Sequence, residues 1–254
     1  MEDTVMDMEG YYSEAKEVAL EGFKRLNDTT QVEHKKWEVP VGSWDVSVVR
    51  GKVLEKATLS HILLNTKNPL TGEDTRFDVV QAKVYPASPK IPILLFNVEY
   101  RASAKEQKFA GMLDVVPVAA HEEDLNFLAD GLKNVVEKHG VDHEPLRKKV
   151  ENIYKMDQWE HGVNAGIGIY LDLAKEQFDL VKEAGFQWIT SYFTIAEKRE
   201  KEASSSEEIA LMDSARARIM EYYFLGDMSI TVAQKIGVPL EALTLGTLAP
   251  TIRY

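Results

Sequence analysis

The sequence predicts an α+β fold, in which a largely antiparallel β-sheet of about six or seven strands is flanked by helices as an α/β/α sandwich. Between Trp37 and Val116, short β-rich segments alternate with turn residues. From Glu122 onward the apolar residues return to helical spacing, and strands followed by helices are typical of a sheet covered by helices. The 254 residues, of which 44% are hydrophobic, suffice for one large domain. We expect a disordered acidic lead over residues 1–9 and a single domain over residues 10–254.

The first half of the domain is predicted to hold one helix and most of the strands. Helical spacing of Tyr12, Ala15, Val18 and Phe23 predicts an amphipathic helix over residues 11–26, and the polar residues 27–36 predict a loop. Turn residues then separate β-rich runs that predict a meander. The predicted strand segments are Val46–Arg50, Val53–Leu54, Thr58–Leu64, Phe77–Tyr85, Ile93–Tyr100 and Phe109–Val116.

The second half is predicted to be mainly helical. A helix begins near Glu122 and ends at a His139-Gly140 C-cap, and a second covers Glu144–Met156. The run Ala165–Leu171 predicts one more strand, buried on both faces. A long helix is expected from Gln177 to about Lys201, and the serines at 204–206 signal the start of another. The tail Ile230–Tyr254 is predicted as short helix and loop.

The charge and the absence of cysteine exclude several classes of function. The formal net charge is −11, which argues against nonspecific binding to nucleic acid or to an anionic membrane surface. Without cysteine there can be no disulfide, thiolate-held cluster or cysteine nucleophile. We see no signal peptide and no apolar run that approaches the length of a membrane span, so a cytoplasmic location fits best.

A single carboxylate, Asp114, lies near the end of the last strand of the meander. Its neighbours in Phe109–Val116 are mostly apolar, and Pro117 follows two positions after Val115 to end the pairing. Burial would raise the pKa of this carboxyl group and allow it to hold or pass a proton near neutral pH. The alternative is a strand-end aspartate that accepts backbone N–H bonds, and spacing alone favours this structural role.

Other chemical motifs are weak or absent. The glycines of Gly166-Ile-Gly168 lack the rest of a phosphate loop, and the six histidines have no metal-ligand spacing. We therefore expect neither a metal nor an organic cofactor. Arg216 and Arg218 precede the aromatic stretch Tyr222–Phe224, where they could bind carboxylates, although surface arginines and core aromatics are the more common roles.

Read in order, the segments from Trp37 to Tyr254 resemble the oxygen-dependent coproporphyrinogen III oxidase family. Gly51-Lys-Val-Leu-Glu-Lys-Ala57 resembles its G-x-V-F-E-K-A segment, with Ser47 at the position of the preceding serine. The run from Phe109 to Pro117 resembles F-G-G-G-x-D-L-T-P. Further resemblances are found in the spaced prolines Pro86, Pro89 and Pro92 followed by Asn97 and Tyr100, in Ile169–Asp172, in Arg216-Ala-Arg218, and in the ending Leu248–Tyr254.

The resemblance implies a tetrapyrrole substrate and a set of site residues. Asp114 would contact the pyrrole nitrogens and exchange protons, while Asn97 would add a polar contact from the adjacent strand. Arg101, Arg216 or Arg218 would bind propionates. Ser47 and Asp172 occupy matching positions in motifs of the family and join the candidate substrate-binding residues. The family is also typically dimeric, so a homodimer is expected.

Three departures from the family pattern predict a changed substrate or reaction. Leu95, Glu99 and Asn164 stand where the family has histidine, arginine and arginine. Glutamate in place of arginine repels a carboxylate, so coproporphyrinogen itself is not the expected substrate.

Two alternatives stay open. The chain also resembles the ferredoxin-dependent bilin reductases through Ile91–Phe96 and Met112–Pro117, which implies Asp114 as proton donor and ferredoxin as partner. An acidic surface suits acidic ferredoxin poorly. The lost residues would alternatively leave a tetrapyrrole-binding relative without catalysis.

Overall fold

The computed structural model describes residues 6–151 and 153–253 and contains one antiparallel sheet of eight strands. Strands β1 to β7 lie side by side in chain order, and β8 pairs with β6 beyond the short β7. The α+β class predicted from the sequence is confirmed. The strands are β1 Glu33–Val39, β2 Gly42–Val49, β3 Leu54–Lys67, β4 Asp74–Pro86, β5 Ile93–Ser103, β6 Gln107–Val116, β7 Ile169–Tyr170 and β8 Leu173–Ala174.

Helices cover both faces of this sheet. We call the face packed against α1, α2 and α4 the α1 face, and the face packed against α5, α6 and α7 the α5 face. The short helix α3 lies beside β7. The helices are α1 Met8–Leu26, α2 Glu122–Lys138, α3 His143–Val150, α4 Phe178–Arg199, α5 Ser206–Leu225, α6 Met228–Lys235 and α7 Leu240–Gly246.

Local sequence signals account for several helix boundaries. Asp7 accepts a hydrogen bond from the Gly10 amide at 2.8 Å and caps α1. Ser205 and Glu208 form a reciprocal capping box at the start of α5, within the predicted serine run. Gly140 follows α2 with a φ of 72°, a left-handed conformation that suits glycine at a helix end.

The α1 face is closed by a continuous apolar core. Alternate strand residues such as Leu59, Val80 and Phe96 meet Phe23 of α1 and Trp188 of α4 there, and all of these are 2% exposed or less. The stripe of apolar residues predicted over 11–26 is the side of α1 that packs on the sheet. The α1 face of the sheet is therefore tightly packed.

On the α5 face, the C-terminal helix α7 is tied to the sheet through its backbone carbonyls. The Lys56 ammonium donates to the carbonyls of Thr244 at 2.7 Å and Leu248 at 2.6 Å, and the Tyr85 hydroxyl donates to the Thr247 carbonyl at 2.7 Å. Burial, aided by the positive charge of Arg50, lowers the pKa of Lys56 to about 7. These bonds close one end of the α5 face and leave space farther along the strands.

The structure differs from the sequence predictions in a few elements. The predicted loop over 27–36 overlaps β1, an edge strand whose mostly exposed polar residues hide the strand pattern. Only Ile169–Tyr170 of the predicted strand 165–171 pairs with β6, because the residues before it bend toward Asp114. The first helix begins at Met8 rather than residue 11, and residues 1–5 of the predicted lead lie outside the described residues.

No helix in the described part of the chain is both long and apolar enough to cross a membrane. The same residues contain no group of three or more histidine, aspartate or glutamate side chains arranged to hold a metal ion.

We predict that Trp188→Ala destabilises the protein by about 3–5 kcal/mol, because the largest side chain of the α1-face core leaves a cavity that its neighbours fill only partly. Chemical denaturation of the wild type and variant measures this difference. The matched control is Trp37→Ala on edge strand β1, where the half-buried ring is expected to cost about 1 kcal/mol. Equal losses at both positions would contradict the account of the core.

Candidate functional site

A cavity of about 440 Å³ lies between the α5 face of the sheet and helices α5 and α6. Its volume falls within the usual range for small-molecule sites. Strands β2 to β6 form the floor, the segment Tyr222–Ala233 forms the roof, and the β3–β4 turn around Leu70 lies at one end. Apolar and aromatic side chains make up most of the wall, among them Trp44, Ile62, Phe77, Val79, Met112 and Tyr170.

The middle of the floor carries a polar pair on two neighbouring strands. Gln81 of β4 and Asn97 of β5 face each other in register, and both line the cavity. The Asn97 Oδ1 atom is buried and has no hydrogen-bond partner among the described residues. A Cβ atom on Gly111 would lie 2.3 Å from the Asn97 carbonyl oxygen, and the φ of Gly111 is 104°, so only glycine suits this position. The Asn97 amide therefore lies in the floor of the cavity, and Gly111 beside it allows β6 to pack closely against β5.

Arg101 lies at one end of the cavity floor, and its guanidinium is already bound to the carboxylate of Glu99. The Arg101 guanidinium donates from Nε to Glu99 Oε1 at 2.6 Å and from Nη2 to Glu99 Oε2 at 3.3 Å. Both side chains project from β5 to the same face because they are two residues apart. The guanidinium also lies 6.0 Å from the centroid of the Phe77 ring. Arg101 is therefore internally neutralised.

A buried lysine that sequence reasoning missed lies toward the other end. Lys83 of β4 is 2% exposed and lines the cavity, and its ammonium donates to the Tyr154 hydroxyl at 3.0 Å. The Tyr154 and Tyr223 hydroxyls are 3.2 Å apart and hydrogen-bonded. Burial lowers the pKa of Lys83 to about 8, and the negative charge of Asp227 opposes this shift. The cavity thus contains a cation that can change protonation near neutral pH.

Asp114 projects from β6 to the same face as Met112, two residues earlier, but it is not among the residues that line the cavity. Its carboxylate is fully buried under the segment 164–168. Oδ2 accepts from Asn164 Nδ2 at 2.7 Å and from the Gly166 amide at 2.9 Å, while Oδ1 has no hydrogen-bond partner among the described residues. Burial raises the pKa of Asp114 to about 6, and the bonds from Asn164 and backbone amides oppose this shift.

Asn164 links Asp114 to the cavity wall. Besides its bond to Asp114, Asn164 Nδ2 donates to the Val150 carbonyl at 2.8 Å, and Asn164 Oδ1 accepts from the Tyr154 amide at 3.4 Å. A Cβ atom on Gly168 would lie 1.7 Å from the Leu113 carbonyl oxygen, so glycine allows this segment to pack directly on β6. In the described structure, Asp114 therefore fixes the segment that holds Tyr154 in place.

The structure brings two of the seven site residues named from the sequence, Asn97 and Arg101, into the cavity wall. Ser47 is buried on the α1 face, since it alternates with the α5-face residues Val46 and Val48.

The remaining candidates are engaged elsewhere. Arg216 is paired with Glu55 at 2.7 Å and donates to the Pro86 carbonyl, whereas Arg218 stacks on the Trp159 ring at 4.4 Å. Asp172 is paired with Lys149 at 2.5 Å. None of these three lines the cavity.

A sequence signal for Lys83 was present. It is a lysine within the β-rich run Val79–Tyr85, on the same face as Gln81 by strand alternation. Lysine is rarely buried without a reason, so a charge inside a predicted interior strand marks a candidate site. Tyr154 carried no such signal, because it reaches Lys83 only through the long-range packing of the segment after α3.

We predict that Asp114→Asn gains stability relative to the wild type as pH rises. The wild-type pKa is raised from 3.8 to about 6, so the folded state binds the proton more tightly than the unfolded state, and wild-type stability falls over this range. Asparagine does not titrate and keeps an acceptor for Asn164. The difference in unfolding free energy should shift by about 2.5 kcal/mol in favour of the variant between about pH 4 and about pH 7.5.

Denaturant melts at the two pH values measure this shift. Asp172→Asn is the matched control, and its stability relative to the wild type should change with pH in the opposite direction. The Lys149 hydrogen bond lowers the pKa of Asp172, so this variant should lose stability relative to the wild type as pH rises. A pH-independent difference for Asp114→Asn would contradict the buried environment assigned to this carboxyl group.

Comparison with known protein families identifies the family of this chain. The family described as Coproporphyrinogen III oxidase matches residues 7–254, which includes every strand and helix that frames the cavity. A match over nearly the whole chain confirms the resemblance inferred from the separate motifs. The chain therefore belongs to the coproporphyrinogen III oxidase family.

Proposed function

We propose that this protein binds a tetrapyrrole in the cavity on the α5 face and chemically modifies it there. We further propose that the substrate has fewer carboxylates than coproporphyrinogen. The observation that carries the proposal is the state of Arg101, whose guanidinium is bound by Glu99 inside a largely apolar cavity.

The chemistry of the cavity wall supports a mainly apolar, aromatic ligand. Aromatic rings lie on several sides of the cavity, including Trp44, Phe77, Tyr170 and Tyr222, and such rings pack well against the face or edge of a conjugated system. The Asn97 side chain lines the cavity, and a small rotation of its amide would offer the unpartnered Oδ1 to a pyrrole N–H group. A pigment that stacks on the walls and donates to Asn97 would satisfy both features.

The charges in the wall disfavour a tetracarboxylate. Two cations, Lys83 and Arg101, are accompanied by two acids, Glu99 and Asp227. A carboxylate buried without its own cation carries a large desolvation penalty, and a nearby Glu99 adds repulsion. A dicarboxylate porphyrin or bilin that keeps one propionate at the cavity mouth fits this balance better.

Asp114 retains its proposed role as proton donor or acceptor toward the pigment. A carboxyl group with a pKa near 6 can exchange a proton at neutral pH. Since residues 164–168 cover it, direct contact with a pigment requires this segment to move when the ligand binds. The family resemblance and the buried position support this role. Ferredoxin as electron donor, a homodimer and a cytoplasmic location remain proposals that rest on the resemblance or on composition.

Spectrophotometric titration tests the proposed substrate class. We expect mesoporphyrin IX and biliverdin, both dicarboxylates, to bind with shifted absorbance and at least about tenfold more tightly than coproporphyrin. Oxygen uptake with coproporphyrinogen is expected to stay at the background rate, and turnover that requires reduced ferredoxin would favour the reductase-like reaction. The substrate proposal fails if coproporphyrin binds most tightly, and the whole proposal fails if no pigment binds.

We predict that Glu99→Gln raises the affinity for coproporphyrin by about tenfold, because Arg101 becomes free to form a charge-assisted bond with a propionate. The matched control is the double variant Glu99→Gln with Arg101→Met, which should lose this gain. Titrations of the three proteins at one salt concentration measure the effect. An equal gain in the double variant would show that Arg101 does not bind the ligand.

A further inference from the structure

Lys83 is a buried cation with no acid bound to it. Its side chain projects from the centre of β4 and is 2% exposed. Within the described residues the ammonium has one hydrogen-bond partner, the Tyr154 hydroxyl, and no carboxylate within 4.0 Å. An ammonium group has three N–H donors, so most of its hydrogen-bonding capacity is unused.

A buried ammonium with a single hydrogen-bond partner destabilises the ligand-free protein. Removing a charge from water is compensated only by a counter-charge or several hydrogen bonds. The rings of Tyr154 and Tyr223, with centroids 5.5 and 5.6 Å from the ammonium, supply part of this compensation through cation–π attraction. Since the side chain lines the cavity, the remaining donors are available to a ligand.

The other charged groups of the cavity wall are already engaged. Arg101 is bound by Glu99, and Asp227 accepts a hydrogen bond from the Ser229 amide at 2.7 Å as the N-cap of α6. An anionic group that enters the cavity therefore finds its free partner at Lys83 rather than at Arg101.

We propose that Lys83 is the specificity-determining residue that binds a carboxylate of the ligand, with the Tyr154 hydroxyl holding the ammonium in place. This inference rests on the proposed function, since it assigns one propionate of the tetrapyrrole to the Lys83 end of the cavity. It also accounts for the fit of a substrate with few carboxylates, because one unengaged ammonium can neutralise one of them.

The surroundings of Lys83 define its pH dependence. The Tyr154 and Tyr223 rings contact the ammonium from the segment after α3 and from α5. Tyr222 lines the same cavity, and the negative charge of Asp227 acts on Lys83 from the start of α6. On the sheet, Tyr85 follows on β4, and Lys56 lies diagonally across on β3, bound to carbonyls of the C-terminal segment.

The tyrosines next to Lys83 do not ionise in the accessible pH range, because burial raises the pKa values of Tyr154 and Tyr223 well above 10. Burial lowers the pKa of the Lys83 ammonium to about 8. Affinity for a carboxylate ligand should therefore decline above that pH.

The test compares mesoporphyrin IX with its dimethyl ester, which has the same ring and no carboxylate. Wild-type protein should bind the acid at least about tenfold more tightly than the ester at pH 7, with a preference that falls as pH rises past 8. Lys83→Met should bind both pigments equally at every pH. Lys83→Arg should keep the preference for the acid. This preference should no longer fall above pH 8, because a guanidinium stays protonated.

Lys56→Met is the matched control. It removes a second buried lysine from the same face of the sheet, outside the cavity wall, and should leave the preference for the acid unchanged. Circular dichroism and thermal melts establish that each variant is folded. If Lys83→Met keeps the wild-type preference for the acid, the assignment of Lys83 is overturned while the proposed function stands. The same holds if Lys56→Met loses this preference as fully as Lys83→Met does. Failure of wild-type protein to bind either pigment would overturn the proposed function together with this inference.

Discussion

The antiparallel pairing of β4 with β5 is the constraint on which the site depends. The register places Gln81 opposite Asn97 and Lys83 opposite Leu95, and the two-residue period of a strand sends Gln81, Lys83 and Asn97 to the α5 face. A slip of one residue would turn these polar groups into the apolar core of the α1 face and destroy both core and cavity. The dense packing of Trp188 and its neighbours fixes the register and thereby positions the chemistry on the other side.

The ligand proposed for this family member rests on the electrostatics of the cavity. A bidentate Arg–carboxylate pair within the protein neutralises a group that would otherwise attract a substrate carboxylate. In this chain Glu99 does so for Arg101, and the free positive charge lies instead at Lys83, on the neighbouring strand. We propose that the position of this charge decides which part of a tetrapyrrole can be anionic, and both Lys83 and Arg101 face the cavity within the same fold.

Much of the fold could be predicted from the sequence, because alternation in β3 to β6 and helical spacing in α1, α2 and α4 are local signals. Edge strand β1 was hidden by its exposed polar residues, which need no apolar face to pair with β2. Asp114 was correctly placed near a strand end, yet its covering by Asn164 and Gly166 depends on a segment 50 residues away in sequence. Arg216 illustrates the same difficulty, since its partner Glu55 is distant along the chain and no periodic pattern reveals the pair.

The most direct measurement is a crystal structure of the protein with mesoporphyrin IX. Our account predicts the ring within the cavity of the α5 face, one propionate within hydrogen-bond distance of Lys83 Nζ, and Arg101 still paired with Glu99. A pigment bound elsewhere, or a propionate bound to Arg101 with Glu99 displaced while Lys83 makes no contact, would contradict it.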